Sequence, residues 1–482
     1  MCNAFHKANS KKHKQKRKRK KERQKQKQES QEKKKKMSDY LPDQVLAEIF
    51  FRLPAKTVLD CRCVCKSWCS VITNPNFISE YNKLSFKNTN NVTRFLVSYY
   101  DMDEQREIFT LHHGDYSISD HYHEELELPF DHGLSRYMII GFCCGLVCLL
   151  EISKAERLPQ SLLIWNPSVG YSFKTFPIHS PVAKIDQQSF GYGQYGPSIQ
   201  FSQGKILVSI FGFGYVPKTN DYKVVRIVYH LETSCVVSKR VVEIIDVLTL
   251  STGEWENITE AAPPYLIKRN SVHASVNGAV HWIGYYEGSD ERSVSQLVVA
   301  VFDMYGEVFK EFNLPNGMMS DTVKFGEREV QKISVAVIKQ SLALLHYHSH
   351  ARDEAFLSCS IWLMNEYGSI ESWTKLYNVT IHSGVGKILG NWRKGELLVG
   401  TVYNWALLSF HPRYRTARRL TVRGEPWCYY GDAYMECLVI CKKIDGVSTM
   451  STSSDETTTG QELETESSSY KITDKGKEIL EE

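Results

Sequence analysis

Cysteine is the residue type of this chain whose spacing first suggests chemistry. Four cysteines lie close together, at Cys61, Cys63, Cys65 and Cys69. Thiols four residues apart on a helix can share a metal ion, but no CxxC pair and no nearby histidine completes a tetrahedral zinc site. We interpret these cysteines as packing residues, and we expect no metal and no cofactor.

Catalytic signatures are also missing from the sequence. It contains no HExxH, GxSxG or Asp-box pattern, the arrangements that would place a base, a nucleophile or metal ligands together. His281 and His346 lie in strand-like runs, which favours histidines that are hydrogen-bonded within a core. No catalytic residue is assigned.

The segment around the cysteines has helical periodicity. Ser38 or Asp39 could cap a first helix, and proline is tolerated in the first helical turn, where Pro42 stands. Apolar residues then fall on one predicted face, and Pro54 should end the helix: Val45, Leu46, Ile49, Phe50 and Leu53.

A second apolar stripe follows at spacings of three and four residues and stops at Asn74-Pro75: Val58, Cys61, Cys65, Trp68 and Ile72. A segment of about 40 residues is near the lower limit for an independent fold. It should therefore complete its core elsewhere. Either it docks into the groove of a partner protein, or it forms a helical cap on the domain that follows it.

This segment resembles an F-box, the adaptor-binding motif of modular ubiquitin ligases. Leu41-Pro42, Leu53-Pro54 and the run Arg62-Cys63-Val64-Cys65-Lys66-Ser67-Trp68 carry the resemblance. It implies that the chain binds a Skp1-type adaptor, and through it a cullin and a RING protein. The contact residues implied by motif position are Leu41, Pro42, Leu46, Ile49, Leu53, Pro54, Val58, Val64, Cys65 and Trp68.

The charge distribution separates two tails from the body. Residues 1–36 hold 17 Lys/Arg against 3 Asp/Glu, whereas the rest of the chain has a balance of −10. We predict a disordered basic tail over residues 1–37 and a disordered acidic, Ser/Thr-rich tail over residues 444–482. Without a secretory signal or a membrane-spanning apolar run, the expected location is the cytoplasm, the nucleus or both.

From about residue 92 the periodicity becomes that of β-strands. Similar strands recur near residues 145, 222, 278, 342 and 395, each entered through a turn. The steps between these strands are 77, 56, 64 and 53 residues. Such repeats, with insertions in their loops, are typical of a propeller built from four-stranded blades. We predict six blades, with residues 92–131 supplying one of them and the strand 433–440 closing the ring.

This body resembles the kelch-like F-box-associated domain of plant F-box proteins, including the S-locus F-box type. The runs that carry the resemblance are Phe211–Pro217, Asn220–Val225, Trp165-Asn166-Pro167 and Glu371–Leu376. The predicted organisation is therefore a small all-α F-box of about three helices over residues 38–80, followed by an all-β propeller over residues 81–443. Gly212 and Gly214 should allow close strand approach, and five tryptophans should pack between blades: Trp165, Trp255, Trp282, Trp362 and Trp373.

The function that the resemblance implies is non-catalytic. The chain would be the substrate-recognition subunit of an SCF-type ubiquitin ligase, with an unidentified target protein held by propeller loops and no membrane partner. The candidate loops are 100–135, 178–205, 284–297, 316–332 and 348–358. The alternative is a propeller enzyme or sugar-binding protein with the helices as a structural cap. Nucleic-acid binding through residues 1–36 would be weak and unspecific.

Overall fold

Four short α-helices precede the β-sheets in the part of the chain that the structure describes. They are α1 (Asp43–Phe50), α2 (Ala55–Cys61), α3 (Lys66–Ile72) and α4 (Pro75–Lys87). The computed structural model describes residues 41–87, 94–101, 104, 106–113, 123–129, 133, 135–154, 159–170, 172–178, 199–202, 205–233, 238–268, 271–287, 293–318, 325–326, 332–349, 356–391, 395–403, 406–423 and 429–439. The predicted capping residues Ser38 and Asp39 lie outside these ranges.

Prolines set the boundaries of the helices. Pro42 and Pro54 have extended backbone angles and stand at the N-cap positions of α1 and α2, and Pro75 is the first residue of α4. The predicted stripe from Val58 to Ile72 is not one helix. It breaks between α2 and α3, because Cys65 is extended, with φ at −159°, and caps α3 by accepting a bond from the backbone N–H of Trp68.

The rest of the described chain forms six antiparallel sheets arranged as the blades of a propeller. The first contains β1 (Arg94–Asp101), β2 (Arg106–His113), β3 (His123–Glu125) and β27 (Tyr430–Ala433). The second contains β4 (Ser135–Cys143), β5 (Leu146–Ser153), β6 (Pro159–Asn166) and β7 (Ser172–Pro177). The third contains β8 (Ile199–Ser202), β9 (Lys205–Val216), β10 (Asp221–Thr233), β11 (Ser238–Thr249) and β12 (Glu254–Asn257).

The remaining three blades follow in chain order. The fourth contains β13 (Leu266–Ile267), β14 (Ala274–Val276), β15 (Ala279–Glu287), β16 (Ser293–Asp303), β17 (Val308–Asn313) and β18 (Phe325–Gly326). The fifth contains β19 (Ile333–Ile338), β20 (Ser341–Ser349), β21 (Phe356–Met364) and β22 (Trp373–Thr380). The sixth contains β23 (Val385–Asn391), β24 (Leu397–Thr401), β25 (Ala406–His411) and β26 (Thr416–Arg423). The predicted six-bladed propeller behind a small helical segment is confirmed, with four helices where about three were expected.

The predicted repeats correspond to one strand of each blade. The five marker positions fall at β5, β10, β15, β20 and β24, one strand in each of the last five blades. The blade predicted near residues 92–131 supplies β1, β2 and β3. The ring closes where β27 pairs antiparallel with β1, joining Tyr430–Ala433 to Phe95–Ser98.

The predicted closing strand 433–440 is misplaced. The pairing uses residues 430–433, and residues 434–439 form no strand. This segment leaves the sheet instead, because its apolar side chains pack elsewhere: Leu438 belongs to the core of the helices.

Contacts between neighbouring blades form most of the core. Each of six buried apolar clusters takes residues from two adjacent blades. Trp165, Trp282 and Trp373 are buried there as predicted, while Trp255 and Trp362 are partly buried. Gly212 is required for close approach, because a β-carbon there would lie 2.5 Å from a ring carbon of Trp282.

By its contacts the chain divides into two units, residues 1–443 and residues 444–482. The helices and the six blades belong to the first unit. None of the described helices combines the length and the apolar character needed to cross a membrane.

Candidate functional site

Helix α1 has two apolar faces with opposite environments. Leu46 and Phe50 are each 1% exposed and point into the helical core. Leu41, just before the helix, and Val45 and Ile49 are 41%, 42% and 43% exposed. These three residues recur every four positions, so they form one ridge along the outer side of the helix. We call Leu41, Val45 and Ile49 the apolar ridge.

The inner face is fixed by aromatic packing. Phe50 meets the ring of Trp68 edge-on, with centroids 5.3 Å apart, and also contacts Phe77. The hydroxyl of Tyr81 donates a hydrogen bond to the backbone oxygen of Leu53 at 2.8 Å, which ties α4 to the turn between α1 and α2. Burial raises the pKa of Tyr81, so this hydroxyl stays protonated and keeps donating. The ridge is therefore held on a stable helical frame.

Other apolar and polar residues surround the exposed part of the helices. Val64, in the turn between α2 and α3, is 56% exposed, and Pro42 and Pro54 are exposed as well. Glu48 on α1 and Arg52, just beyond the end of α1, form an exposed ion pair at 3.1 Å. Apolar side chains bordered by charged ones are the arrangement that protein-binding surfaces use.

The ten predicted contact residues separate into three groups. Leu41, Pro42, Ile49, Pro54 and Val64 are exposed; Leu53, Cys65 and Trp68 are half-buried; Leu46 and Val58 are buried. Leu46 and Val58 belong to the internal core of the helices, so any role at an interface is to support its shape.

Val45 is a ridge residue that the motif comparison did not select. The signal was present in the sequence as the spacing of Leu41, Val45 and Ile49. Leu46, Phe50 and Leu53 are also apolar, so the apolar face of the predicted helix is wide. The sequence alone does not show which edge of that face is exposed to water.

The core of the helices is completed by the propeller's own chain. Leu438, beyond the closing strand, is 1% exposed and packs in the same cluster as Leu46, Val58 and Phe77. Its backbone N–H donates to Oδ1 of Asn82 on α4 at 3.0 Å. The helices are thus a cap on the propeller and also keep an outward apolar ridge. The helical cap that the sequence left open is therefore present, whereas docking on a partner protein stays a prediction.

Glu436 joins the helices to the first blade. Its Oε2 accepts a hydrogen bond from the backbone N–H of Ala55 at 2.7 Å, and its other oxygen pairs with Arg94 at the start of β1. Ala55 is the first residue of α2, whose N-cap, Pro54, provides no side-chain hydrogen bond. The carboxylate therefore caps α2 from another part of the chain, where negative charge also suits the helix dipole.

The helices lie at the end of the blades that carries the short turns. The turn Cys144-Gly145, between the first two strands of the second blade, packs against Cys437. Asn166, at the end of β6, donates from Nδ2 to the backbone oxygen of Val439 at 2.7 Å. Because the strands are antiparallel, connections between the second and third strands of a blade, and from one blade to the next, lie at the opposite end.

Four of the five predicted target-binding segments are attached to strand ends at that opposite end. Most residues of 100–135, 178–205, 284–297, 316–332 and 348–358 lie outside the described ranges, but the strand ends that flank these segments do not. The fold therefore places the attachments of 178–205, 284–297, 316–332 and 348–358 on one face, away from the apolar ridge. Segment 100–135 is divided, because the ends of β2 and β3 that flank its middle part lie at the helical end.

The described residues contain no candidate metal site, and His281 is hydrogen-bonded within the core. His281 is fully buried, with Nδ1 3.0 Å from the backbone oxygen of Ala274 and Nε2 2.9 Å from the hydroxyl of Tyr367. Burial lowers its pKa to about 4, so it is neutral, as predicted for a core histidine. Across the described ranges no three or more His, Cys, Asp or Glu side chains are placed to hold a metal ion.

Comparison with known families and proteins agrees with both parts of the structure. Residues 39–80 match the model of the F-box domain, and residues 108–401 match that of the F-box associated beta propeller domain. The chain is 25% identical over 361 residues to the F-box protein At3g07870 of Arabidopsis thaliana, covering 70% of this chain and 72% of that protein. It is 24% identical to the F-box/kelch-repeat protein At3g23880 of the same plant, covering 70% and 79% of the two chains. The chain therefore belongs to the F-box proteins that carry an F-box associated β-propeller domain.

Proposed function

We propose that this chain is the substrate-recognition subunit of an SCF-type ubiquitin ligase. In this model the F-box helices bind a Skp1-type adaptor, which connects the chain to a cullin and a RING protein, and the propeller holds a target protein. The observation that carries the proposal is the apolar ridge, because three adjacent apolar side chains in water are stabilised by a partner that covers them.

The arrangement of the two ends supports a receptor that works by proximity. The apolar ridge lies on the helices at one end of the propeller, and four of the five candidate target segments attach at the other: 178–205, 284–297, 316–332 and 348–358. Holding a target lysine near a charged E2 enzyme raises its effective concentration without any catalytic side chain on the receptor. We place this activity in the cytoplasm, the nucleus or both.

The direct test is co-purification of the full chain with Skp1. Val45→Asp with Ile49→Asp should abolish binding, because two carboxylates would lose their hydration in an apolar interface. The matched control is Val272→Asp with Val308→Asp on the propeller, where the native side chains are 38% and 43% exposed. It adds the same charge at similarly exposed valines and should leave binding intact.

Two results would contradict the proposal. One is Skp1 binding that survives the change at Val45 and Ile49 in a folded protein. The other is equal loss of binding in the control, which would indicate an effect of net charge and not of the ridge. Thermal unfolding of each variant shows that the loss is not caused by misfolding.

A further inference from the structure

The outer strand of the sixth blade and the turn before it are rich in arginine. Arg413 and Arg415 lie in the turn between β25 and β26, and Arg418 and Arg419 lie on β26. Strand β26 is the last in its sheet: it pairs with β25 on one side, and no described strand pairs with its other edge. We call residues 413–423 the arginine strand.

These arginines have no acidic partner among the described residues. Elsewhere in the propeller, Arg94, Arg106 and Arg226 each form ion pairs with carboxylates. No ion pair involves the four arginines of the turn and strand within the described part of the chain. Among the described residues, exposed Arg413, Arg415 and Arg419 therefore keep their side-chain hydrogen-bond donors for another molecule.

Arg418 differs from the three exposed arginines. Its Nη1 is buried, yet it has no hydrogen-bond partner within the described ranges. Its strand position is opposite Ser409, a residue that is 3% exposed. Leaving a buried charged donor unpaired costs free energy. Neighbouring residues of a strand point to opposite faces, so Arg418 lies on the face of Ser409 and Glu396, which bond to each other, and the exposed patch consists of Arg413, Arg415 and Arg419.

The charge of the arginine strand is local. The sequence from Leu397 to Gly424 contains no Asp or Glu, although the chain after residue 36 has a net charge of −10. Two other outer strands, β3 (HEE) and β12 (EWEN), are acidic. A confined positive strip on a negative body suits a short anionic segment better than a long phosphate polymer or a membrane, which would also meet the surrounding negative surface.

We propose that the arginine strand binds an extended, carboxylate-rich segment of a partner protein. The edge of β26 that no described strand pairs offers backbone donors and acceptors to a peptide added as a further strand. Guanidinium groups bind carboxylates through paired hydrogen bonds, which orient the peptide as well as attract it. This site lies on the outside of the sixth blade, distinct from the apolar ridge, and does not depend on adaptor binding.

The test uses the full chain and a fluorescein-labelled peptide of alternating Glu and Val, with binding followed by fluorescence anisotropy at about 50 mM salt, where exposed charges are weakly screened. Arg415→Glu with Arg419→Glu should weaken binding about tenfold or more, because attraction becomes repulsion. The matched control is Arg17→Glu with Arg19→Glu in the basic N-terminal segment, which changes net charge equally and should have less than a twofold effect on the dissociation constant.

Each alternative result overturns the proposal. If both double variants weaken peptide binding equally, the peptide is attracted only by the net charge of the protein. If the change at Arg415 and Arg419 does not weaken binding, the arginines serve only to protect the edge of the sheet from aggregation. A single-stranded RNA that binds as tightly, and is lost through the same substitutions, would replace the protein partner with nucleic acid. Unchanged thermal unfolding and unchanged Skp1 binding in the Arg415 and Arg419 variant confirm that it is folded and separate this result from failure of the proposed function.

Discussion

Asp432 is the residue whose charge the fold opposes most clearly. It lies on the closing strand β27, where Oδ1 accepts from the backbone N–H of Ala433 at 2.7 Å and Oδ2 lies 3.4 Å from the hydroxyl of Tyr430. That hydroxyl in turn accepts a bond from the backbone N–H of Phe142 on the second blade at 2.8 Å. Burial outweighs these hydrogen bonds and raises the pKa of Asp432 to about 7.

The stability of the folded protein should therefore fall as the pH rises from about 4 to about 7. A carboxyl with a raised pKa in the folded state contributes its stability below its ordinary value of 3.8 and loses it as the pH passes 7. Asp432→Asn removes the titration, so it should stabilise the protein by about 2 kcal/mol at pH 8 and change little near pH 4. Thermal unfolding across this pH range measures the difference.

A second substitution at the same contact provides the control. Tyr430→Phe removes the hydroxyl but keeps the carboxyl, so it should lower stability at every pH and retain the fall between pH 4 and pH 8. A gain from Asp432→Asn that is the same at all pH values would show that the carboxyl does not titrate in this range.

For single residues of α1, the sequence predicted that the helix has an apolar surface, but it did not show which apolar residues are exposed. The stripe on α1 correctly indicated an amphipathic helix, yet Leu46 lies inside while Val45 and Ile49 lie outside. The difference between positions 45 and 46 is a rotation of about 100° around the helix. Both residues are aliphatic, and only the packing of α3, α4 and Leu438 decides which of them is covered.

The segment 434–439 connects the helices to the propeller. Its apolar composition predicted a strand, because Tyr434, Cys437 and Leu438 look like strand residues when read locally. The sheet has already closed at Ala433, and these side chains are buried against the second blade and the helices instead. A contact between residues more than 350 positions apart, such as Leu438 with Asn82, leaves no local pattern in the sequence.

Glu436 should be the critical polar residue of this segment. Glu436→Ala removes both the cap of α2 and the partner of Arg94, and should destabilise the docked helices by about 2 kcal/mol, since the contact is partly buried. Hydrogen exchange should become faster in α2 and α4 and stay unchanged in the fourth blade. Skp1 affinity should change by less than twofold, because the ridge is untouched.

Glu436→Gln separates charge from geometry at this position. It keeps an oxygen that can accept from Ala55 and loses the ion pair, so exchange in α2 should lie between that of the native protein and that of Glu436→Ala. Unchanged exchange in both variants would show that Leu438 and the apolar core hold the helices without help from this carboxylate.

The architecture of the whole molecule was predictable because it repeats. The second strand of each blade is buried on both faces, as in β5, where seven of the eight residues are apolar or small and only Glu151 is charged, so it gives a continuous apolar run. Outer strands such as β12 and β17 are mostly exposed and give weak signals. This contrast explains why the blade count came from single markers at irregular spacings.

Closure of the ring makes the first blade depend on the last strand of the sequence. Four residues of β27 supply its inner strand, and the inward apolar cluster between the sixth and first blades includes Tyr429, which directly precedes β27. A chain ending at residue 443 should therefore unfold at the temperature of the full chain, because residues 444–482 form a separate unit. A chain ending at residue 428 should melt at a lower temperature by roughly 10 °C or more, with the free edge of β1 exchanging its amides first.

The shorter chain should also lose adaptor binding, because it lacks the closing strand and Leu438, which completes the core of the helices. Restoring residues 429–443 as a separate peptide should recover both thermal stability and Skp1 binding if the segment acts through these contacts. Recovery of stability without recovery of binding would show that ring closure and the docking of the F-box are independent. Joint recovery would establish that one short segment fixes the ring and places the apolar ridge at its end.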